Sequence, residues 1–92
     1  MIRHRLVVTG RVQNVFYRDW LVERMIGLGV TGWVRNRADN SVEAVVEGTT
    51  EQVEAALAAA RQGSPASRVA EVVVSEDASA ELLEGFVKRP TA

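Results

Sequence analysis

VTGWVRNRADNSVEAVVEGTTEQVEAALAAAR, residues 30–61, is the stretch that decides the fold, because it predicts a β-hairpin running directly into a helix. Two strands are predicted, from Val30 to Arg37 and from Val42 to Glu47, the second with apolar residues at every second position. The intervening ADNS, residues 38–41, is typical of a tight turn, because Asp and Asn tolerate a left-handed backbone.

The helix that follows is predicted for Thr49 to Arg61. Thr49 and Gln52 have the spacing of a capping box, in which each side chain satisfies a backbone N–H at the helix start. Gly63 and Pro65 then end the helix. Apolar side chains recur at helical spacing and predict an alanine-rich face that packs closely on a sheet: Val53, Ala56, Leu57 and Ala60.

The segments on either side of this stretch complete a β-α-β-β-α-β order. Further elements are predicted as strand 2–8, loop 10–15, helix 19–28, strand 69–75 and a short last strand at 85–89. Two split β-α-β units predict an α+β, ferredoxin-like sandwich. It has an antiparallel sheet of four to five strands and both helices on one face. Proteins with this fold have many different functions, so the fold alone does not predict the function.

Length and composition predict one globular domain spanning residues 1–92 and limit its chemistry. Hydrophobic residues make up 47% and charged residues 25% of the 92 residues, and there is no cysteine. Disulfides, thiolate catalysis and zinc–sulfur sites are therefore excluded. His4 is the only histidine, so we expect no transition-metal site. A chain of this size has no room for a separate cofactor domain, and we expect no cofactor.

Charge and hydropathy narrow the expected partners and location. The net charge is −1 without a long run of one sign, so we expect no nucleic-acid partner. No apolar run approaches the roughly 20 residues that span a bilayer, and the basic segment 1–11 has too little apolar length for a signal peptide. We expect a cytoplasmic monomer without membrane contact.

GRVQNVFYR, residues 10–18, has the features of an anion-binding loop between a strand and a helix. Backbone amides in such loops converge, and the helix N-terminus adds partial positive charge. Gly10 allows close backbone approach, and Asn14 is of the non-glycine type most tolerant of positive φ. The guanidinium of Arg18 matches two phosphate oxygens. Taken alone the pattern is common, and a solvated Arg18 remains the alternative.

Asn36 is the second candidate. By strand alternation it shares a face with Val30 and Val34, whereas Trp33 and Arg35 point to the other side. A carboxamide there can accept a proton of water and donate elsewhere, so it can orient a nucleophile. The alternative is an asparagine beside the turn that bonds to the hairpin backbone.

At these residues the sequence resembles the acylphosphatase family. GRVQNVFYR, residues 10–18, is similar to the family signature Gly-Arg-Val-Gln-Gly-Val-x-aromatic-Arg. GWVRN, residues 32–36, followed by a short hairpin, is similar to the second signature. The order and spacing of the elements fit over nearly the whole chain.

The resemblance implies hydrolysis of small-molecule acyl phosphates to a carboxylate and phosphate by in-line attack of water, without metal or cofactor. It implies that Arg18 holds the phosphate and that Asn36 orients the water. It also implies that backbone amides cradle the phosphate, at Gln13, Asn14, Val15, Phe16 and Tyr17. Such chemistry needs positioning and charge stabilisation more than a general acid, because a carboxylate leaves readily.

Two departures from the family pattern affect the loops. Asn14 and Asn40 each stand where the family usually has glycine. If the backbone at residue 14 is left-handed, asparagine adopts it at small cost and the cradle keeps its shape. If its side chain crowds the phosphate, affinity falls.

Two other functions stay open at this point. An RNA-binding module would stack bases on an exposed strip of Trp33, Arg35 and Arg37, although no RNP-like aromatic motif is present. A domain that has lost catalysis would only bind phosphorylated groups, although it need not keep Arg18 and Asn36. The sequence does not specify the physiological acyl phosphate, and we expect broad specificity.

Overall fold

The computed structural model describes all residues, 1–92, and contains five strands and two helices. The predicted order of elements is confirmed, and α1 begins at Tyr17, before its predicted start at Asp19. The elements are β1 Ile2–Arg11, α1 Tyr17–Leu28, β2 Thr31–Asn36, β3 Val42–Gly48, α2 Thr50–Gln62, β4 Arg68–Glu76 and β5 Phe86–Lys88.

The five strands form one sheet in the order β4-β1-β3-β2-β5. The four longer strands pair antiparallel, as predicted, with β1 and β3 in the centre. β5 instead pairs parallel with β2, with Gly32 opposite Phe86, so the sheet is mixed at this edge. The parallel pairing follows from the path of the chain. The segment after β4 crosses to the opposite edge along the end of the sheet where β4 finishes. β5 therefore starts at that end and runs in the same direction as β2.

Both helices pack on one face of the sheet, as the fold prediction requires. A single cluster of 17 buried residues joins sheet and helices, including Leu6, Val34 and Val46 from strands and Leu21 and Val53 from helices. The other face carries Trp33, Glu43 and Val45. Not every apolar side chain of α1 faces the core: Ile26 is 60% exposed.

The two helices begin in different ways. At α2 the predicted capping box is present: the Thr49 N–H donates to Gln52 Oε1 at 2.9 Å, and the Gln52 N–H to Thr49 Oγ1 at 3.1 Å. At α1 the N-cap is Phe16, and no side chain bonds to the first turn. Neither helix has the length and apolarity needed to cross a membrane.

Gly10 has a structural role that differs from the one expected. Its backbone has φ 116, and it lies at a bulge where the pairing of β1 with β4 shifts between Thr9 and Gly10. A Cβ at this position would lie 2.2 Å from the carbonyl oxygen of Arg68. The close approach that requires glycine is therefore to β4.

Candidate active site

The loop from β1 to α1 has an unusual backbone. Asn14 and Phe16 both have φ 60, in the left-handed region. Asparagine is one of the few non-glycine residues that enter this region readily. The condition set for position 14, a left-handed backbone, is therefore met, and Asn40 in the hairpin turn is also left-handed, with φ 73. Asparagine thus preserves the backbone geometry at both positions.

The amides of this loop have no partners within the protein. None of the backbone N–H groups of residues 13–16 donates a hydrogen bond to another atom of the chain. The first N–H groups of any helix lack intrahelical acceptors, and α1 has no capping side chain to satisfy them. Several N–H dipoles therefore lie together at the positive end of α1, which is an arrangement that favours an anion.

These amides adjoin a cavity of about 360 Å³ between the loop, the start of α1 and the end of β2. Both sequence signatures contribute to it, so the two candidate catalytic residues share one cavity. Its lining is Val12, Asn14, Phe16, Tyr17, Arg18, Asp19 and Asn36.

Arg18 is partly buried at the start of α1 and takes part in none of the seven ion pairs of the chain. The neighbouring carboxylate of Asp19 instead bonds to Lys88 Nζ at 2.5 Å. This hydrogen bond is the main cause of a lowered pKa of Asp19, with Arg18 adding a weaker effect. Asp19 is therefore an ionised carboxylate held by Lys88, and the guanidinium of Arg18 keeps its donors for another anion.

Asn36 lies at the end of β2 on the face of Val34, as strand alternation predicted. Its Oδ1 is buried and has no hydrogen-bond partner. The alternative of an asparagine that bonds to the hairpin backbone is therefore wrong. An orphaned buried acceptor carries a free-energy cost of about 1–3 kcal/mol, so such groups are rare without a functional reason.

Three of the expected cradle residues have side chains that are bonded or packed elsewhere in the protein. Gln13 Nε2 donates to the carbonyl oxygens of Arg37 at 2.9 Å and Ser41 at 2.8 Å. Val15 is buried in the core. The hydroxyl of Tyr17 donates to the carbonyl of Ala60 at 2.9 Å, and burial raises its pKa. Gln13 and Val15 do not line the cavity.

Sequence reasoning missed Val12, Asp19 and Lys88 at the site. Val12 lies within the candidate loop and Asp19 directly follows it, so their place in the chain was the available signal. The sequence contains no signal for Lys88, because Lys88 reaches Asp19 only through the pairing of β5 with β2.

The aromatic strip expected for RNA stacking does not form. Trp33 is only 8% exposed, and the guanidinium groups of Arg35 and Arg89 each lie 4.8 Å from its ring centroid. The ring is thus already in cation–π contact with side chains of the chain. His4, through which any catalytic triad would run, does not line the cavity of Arg18 and Asn36.

Comparison with known proteins agrees with this geometry. The family model for acylphosphatase matches residues 4–88. An acylphosphatase of Rhizorhabdus wittichii is 50% identical over 90 residues, covering 98% of this chain and 90% of the relative. One of Acidiphilium cryptum is 47% identical over 92 residues, covering 99% of each. The crystal structure of acylphosphatase from Bacillus subtilis superposes with a TM-score of 0.91 at 34% identity, covering 97% of this chain and 99% of that one. The chain therefore belongs to the acylphosphatase family, whose activity is the hydrolysis of acyl phosphates.

Proposed function

We propose that the cavity lined by Arg18 and Asn36 is where this enzyme hydrolyses acyl phosphates. Arg18 and Asn36 act as catalytic residues, and the amides of residues 13–17 act as the phosphate cradle. The single observation that carries this proposal is the position of four unpaired loop amides at the N-terminus of α1, beside a guanidinium without an ion-pair partner.

In this mechanism the phosphate group lies against the start of α1. The planar fork of Arg18 donates to two phosphate oxygens, and the loop amides donate to the others. In the transition state negative charge spreads over the phosphate oxygens, and these preorganised donors stabilise that charge without rearranging. Asn14 and Phe16 contribute through their left-handed backbone, which turns successive N–H groups toward one side.

Asn36 holds the attacking water. Its carboxamide lines the cavity, so it bonds to the water there and aims the water oxygen at phosphorus. The water oxygen forms a bond to phosphorus while the bond from phosphorus to the acyl oxygen breaks. The electron pair of that bond stays on the leaving carboxylate, and a phosphate oxygen takes the proton of the water. No side-chain base is needed in this step.

The test is release of phosphate from benzoyl phosphate in the presence of a chelator. Arg18→Ala and Asn36→Ala are each expected to lower kcat/KM by about 10²–10³-fold, as loss of one charge-stabilising group does. Arg24→Ala is the matched control, because Arg24 lies in the same helix outside the cavity. A folded wild-type protein without turnover, or an Arg18→Ala variant with full activity, would contradict the proposal.

We also propose that residues 1–92 act as one monomeric, cytoplasmic domain without a nucleic-acid partner. The single buried cluster of 17 residues supports one domain, and the net charge of −1 supports the absence of a nucleic-acid partner. Sedimentation gives the oligomeric state. Salt-dependent retention of RNA on the protein would contradict the absence of a nucleic-acid partner.

A further inference from the structure

Phe16 is an apolar side chain held in solvent at the mouth of the active-site cavity. It is 80% exposed, whereas its neighbours Val15 and Tyr17 are 7% and 1% exposed. Its backbone is fixed, because it is the left-handed N-cap of α1 and its carbonyl accepts the N–H of Trp20 at 3.0 Å. The direction of the Phe16 side chain is therefore set by the helix start.

The geometry of in-line displacement determines which part of the substrate lies near the ring of Phe16. The leaving group departs from phosphorus on the side opposite to the attacking water. Asn36 is partly buried whereas Phe16 is 80% exposed, so a water that Asn36 holds lies deeper in the cavity than the ring of Phe16. The acyl group consequently projects outward, toward the mouth.

Phe16 is the lining residue that offers exposed apolar surface there. Val12 and Tyr17 also line the cavity, but each is only 1% exposed. Asn14 and Asp19 are exposed but polar. Among the residues that line the cavity, Phe16 therefore offers an acyl group at the mouth the one exposed apolar surface.

We propose that the ring of Phe16 binds the acyl group of the substrate, so that the enzyme favours acyl phosphates with flat, apolar acyl groups. This inference rests on the positions proposed above for phosphate and water. Contact removes apolar surface of both partners from water, and two aromatic rings add a stacking contribution. A methyl group, as in acetyl phosphate, buries much less surface on the same ring.

The experiment compares kcat/KM for benzoyl phosphate with kcat/KM for acetyl phosphate. In Phe16→Ala the ratio of the two is expected to fall by about 3- to 10-fold, mainly through a higher KM for benzoyl phosphate. Phe16→Asn serves as a second variant, because asparagine tolerates the left-handed backbone and lacks the apolar ring. Phe16→Tyr keeps the ring and is expected to keep the ratio.

Leu82→Ala is the matched control, since Leu82 is 81% exposed but does not line the cavity. An unchanged ratio in Phe16→Asn or Phe16→Ala would overturn the proposal for Phe16, while turnover of both substrates by the wild type would leave the proposed function standing. Absence of turnover with either substrate, or full activity of Arg18→Ala, would overturn the proposed function instead.

Discussion

The side chain of Gln13 is bonded to the backbone of Arg37. Its Nε2 donates to the Arg37 carbonyl at 2.9 Å and also to the Ser41 carbonyl at 2.8 Å. Arg37 directly follows Asn36, and Gln13 begins the run of unpaired amides. One carboxamide therefore fixes the loop that carries the proposed phosphate cradle against the strand that carries Asn36, the residue proposed to hold the water.

Gln13→Glu tests this link between the two halves of the site. The carboxylate keeps the size of the side chain but presents acceptor oxygens to two carbonyl oxygens. We expect kcat to fall by about 10-fold, with a smaller change in KM, because small displacements of a reacting group reduce rates strongly. The measurement is steady-state kinetics with benzoyl phosphate.

Gln62→Glu is the control for this change, since Gln62 is exposed at the end of α2 and has the same side chain. A loss in Gln13→Glu that appeared only in KM would mean that Gln13 shapes the phosphate cradle and does not position Asn36.

Asn14→Gly removes the side chain at the position where the family usually has glycine. Since Asn14 already has φ 60, glycine keeps the same backbone, and kcat/KM should be unchanged or raised. The free energy of unfolding should fall by about 0.5–1 kcal/mol, because glycine gains freedom in the unfolded chain. Kinetics and urea unfolding of the same preparation give both quantities.

Asn40→Gly is the matched control, because Asn40 has φ 73 in the β2–β3 turn and does not line the cavity. Both variants should lose similar stability. A large loss of activity in Asn14→Gly alone would show that the carboxamide of Asn14 contacts the substrate.

Lys88→Met releases Asp19 from its ion pair. The carboxylate of Asp19 lines the same cavity as Arg18, so it then competes with phosphate for the guanidinium. We expect KM to rise by about threefold at low salt, because exposed ion pairs are weak and screened. The double variant Lys88→Met with Asp19→Asn should restore KM. A KM that remained raised in the double variant would assign Lys88 a direct contact with substrate.

The ionisation of Glu43 makes the free energy of unfolding depend on pH. It is 4% exposed and bonds to Arg5 and Arg35, the latter with Nε at 2.7 Å. Burial raises the pKa of Glu43, but hydrogen bonds from Arg35 and Arg5 outweigh it and hold the pKa below its ordinary 4.5. Because the pKa of Glu43 is lower in the folded protein than in the unfolded one, its ion pairs contribute their full stabilisation above the unfolded-state pKa. This stabilisation is lost as pH falls through the folded-state pKa.

Glu43→Gln should therefore unfold more easily at pH 7, by about 1–3 kcal/mol, and the difference from wild type should shrink in acid. Denaturant unfolding of both proteins at neutral and acid pH measures it. A difference that stayed constant with pH would show that the charge of Glu43 adds nothing to its hydrogen bonds with Arg5 and Arg35.

The pH dependence of the rate tests the absence of a side-chain base. The hydrogen bond from Lys88 lowers the pKa of Asp19, so this carboxylate is ionised throughout the neutral range. His4 does not line the cavity. We expect kcat to be flat from about pH 5.5 to about pH 8. A limb in this range that disappeared in His4→Ala or Asp19→Asn would contradict proton transfer to a phosphate oxygen.

Local rules predicted much of this protein from the sequence. Periodicity predicted the two helices, the four main strands and the capping box of Thr49 with Gln52. The backbone preference of asparagine indicated that positions 14 and 40 tolerate the left-handed conformation that both have. Each of these features depends on residues that are only a few positions apart, so its physical cause is present in the local sequence.

Tertiary structure alone decided how distant residues meet. Gln13 and Arg37 are separated by 24 positions, and Asp19 and Lys88 by 69. Both contacts depend on the strand order β4-β1-β3-β2-β5, as do the parallel pairing of β5 and the approach of Gly10 to β4. The sequence by itself determined the elements and a candidate anion-binding loop. Packing of both helices on one sheet face brought Asn36 to the cavity of Arg18, because only burial of a shared core sets distances between separate elements.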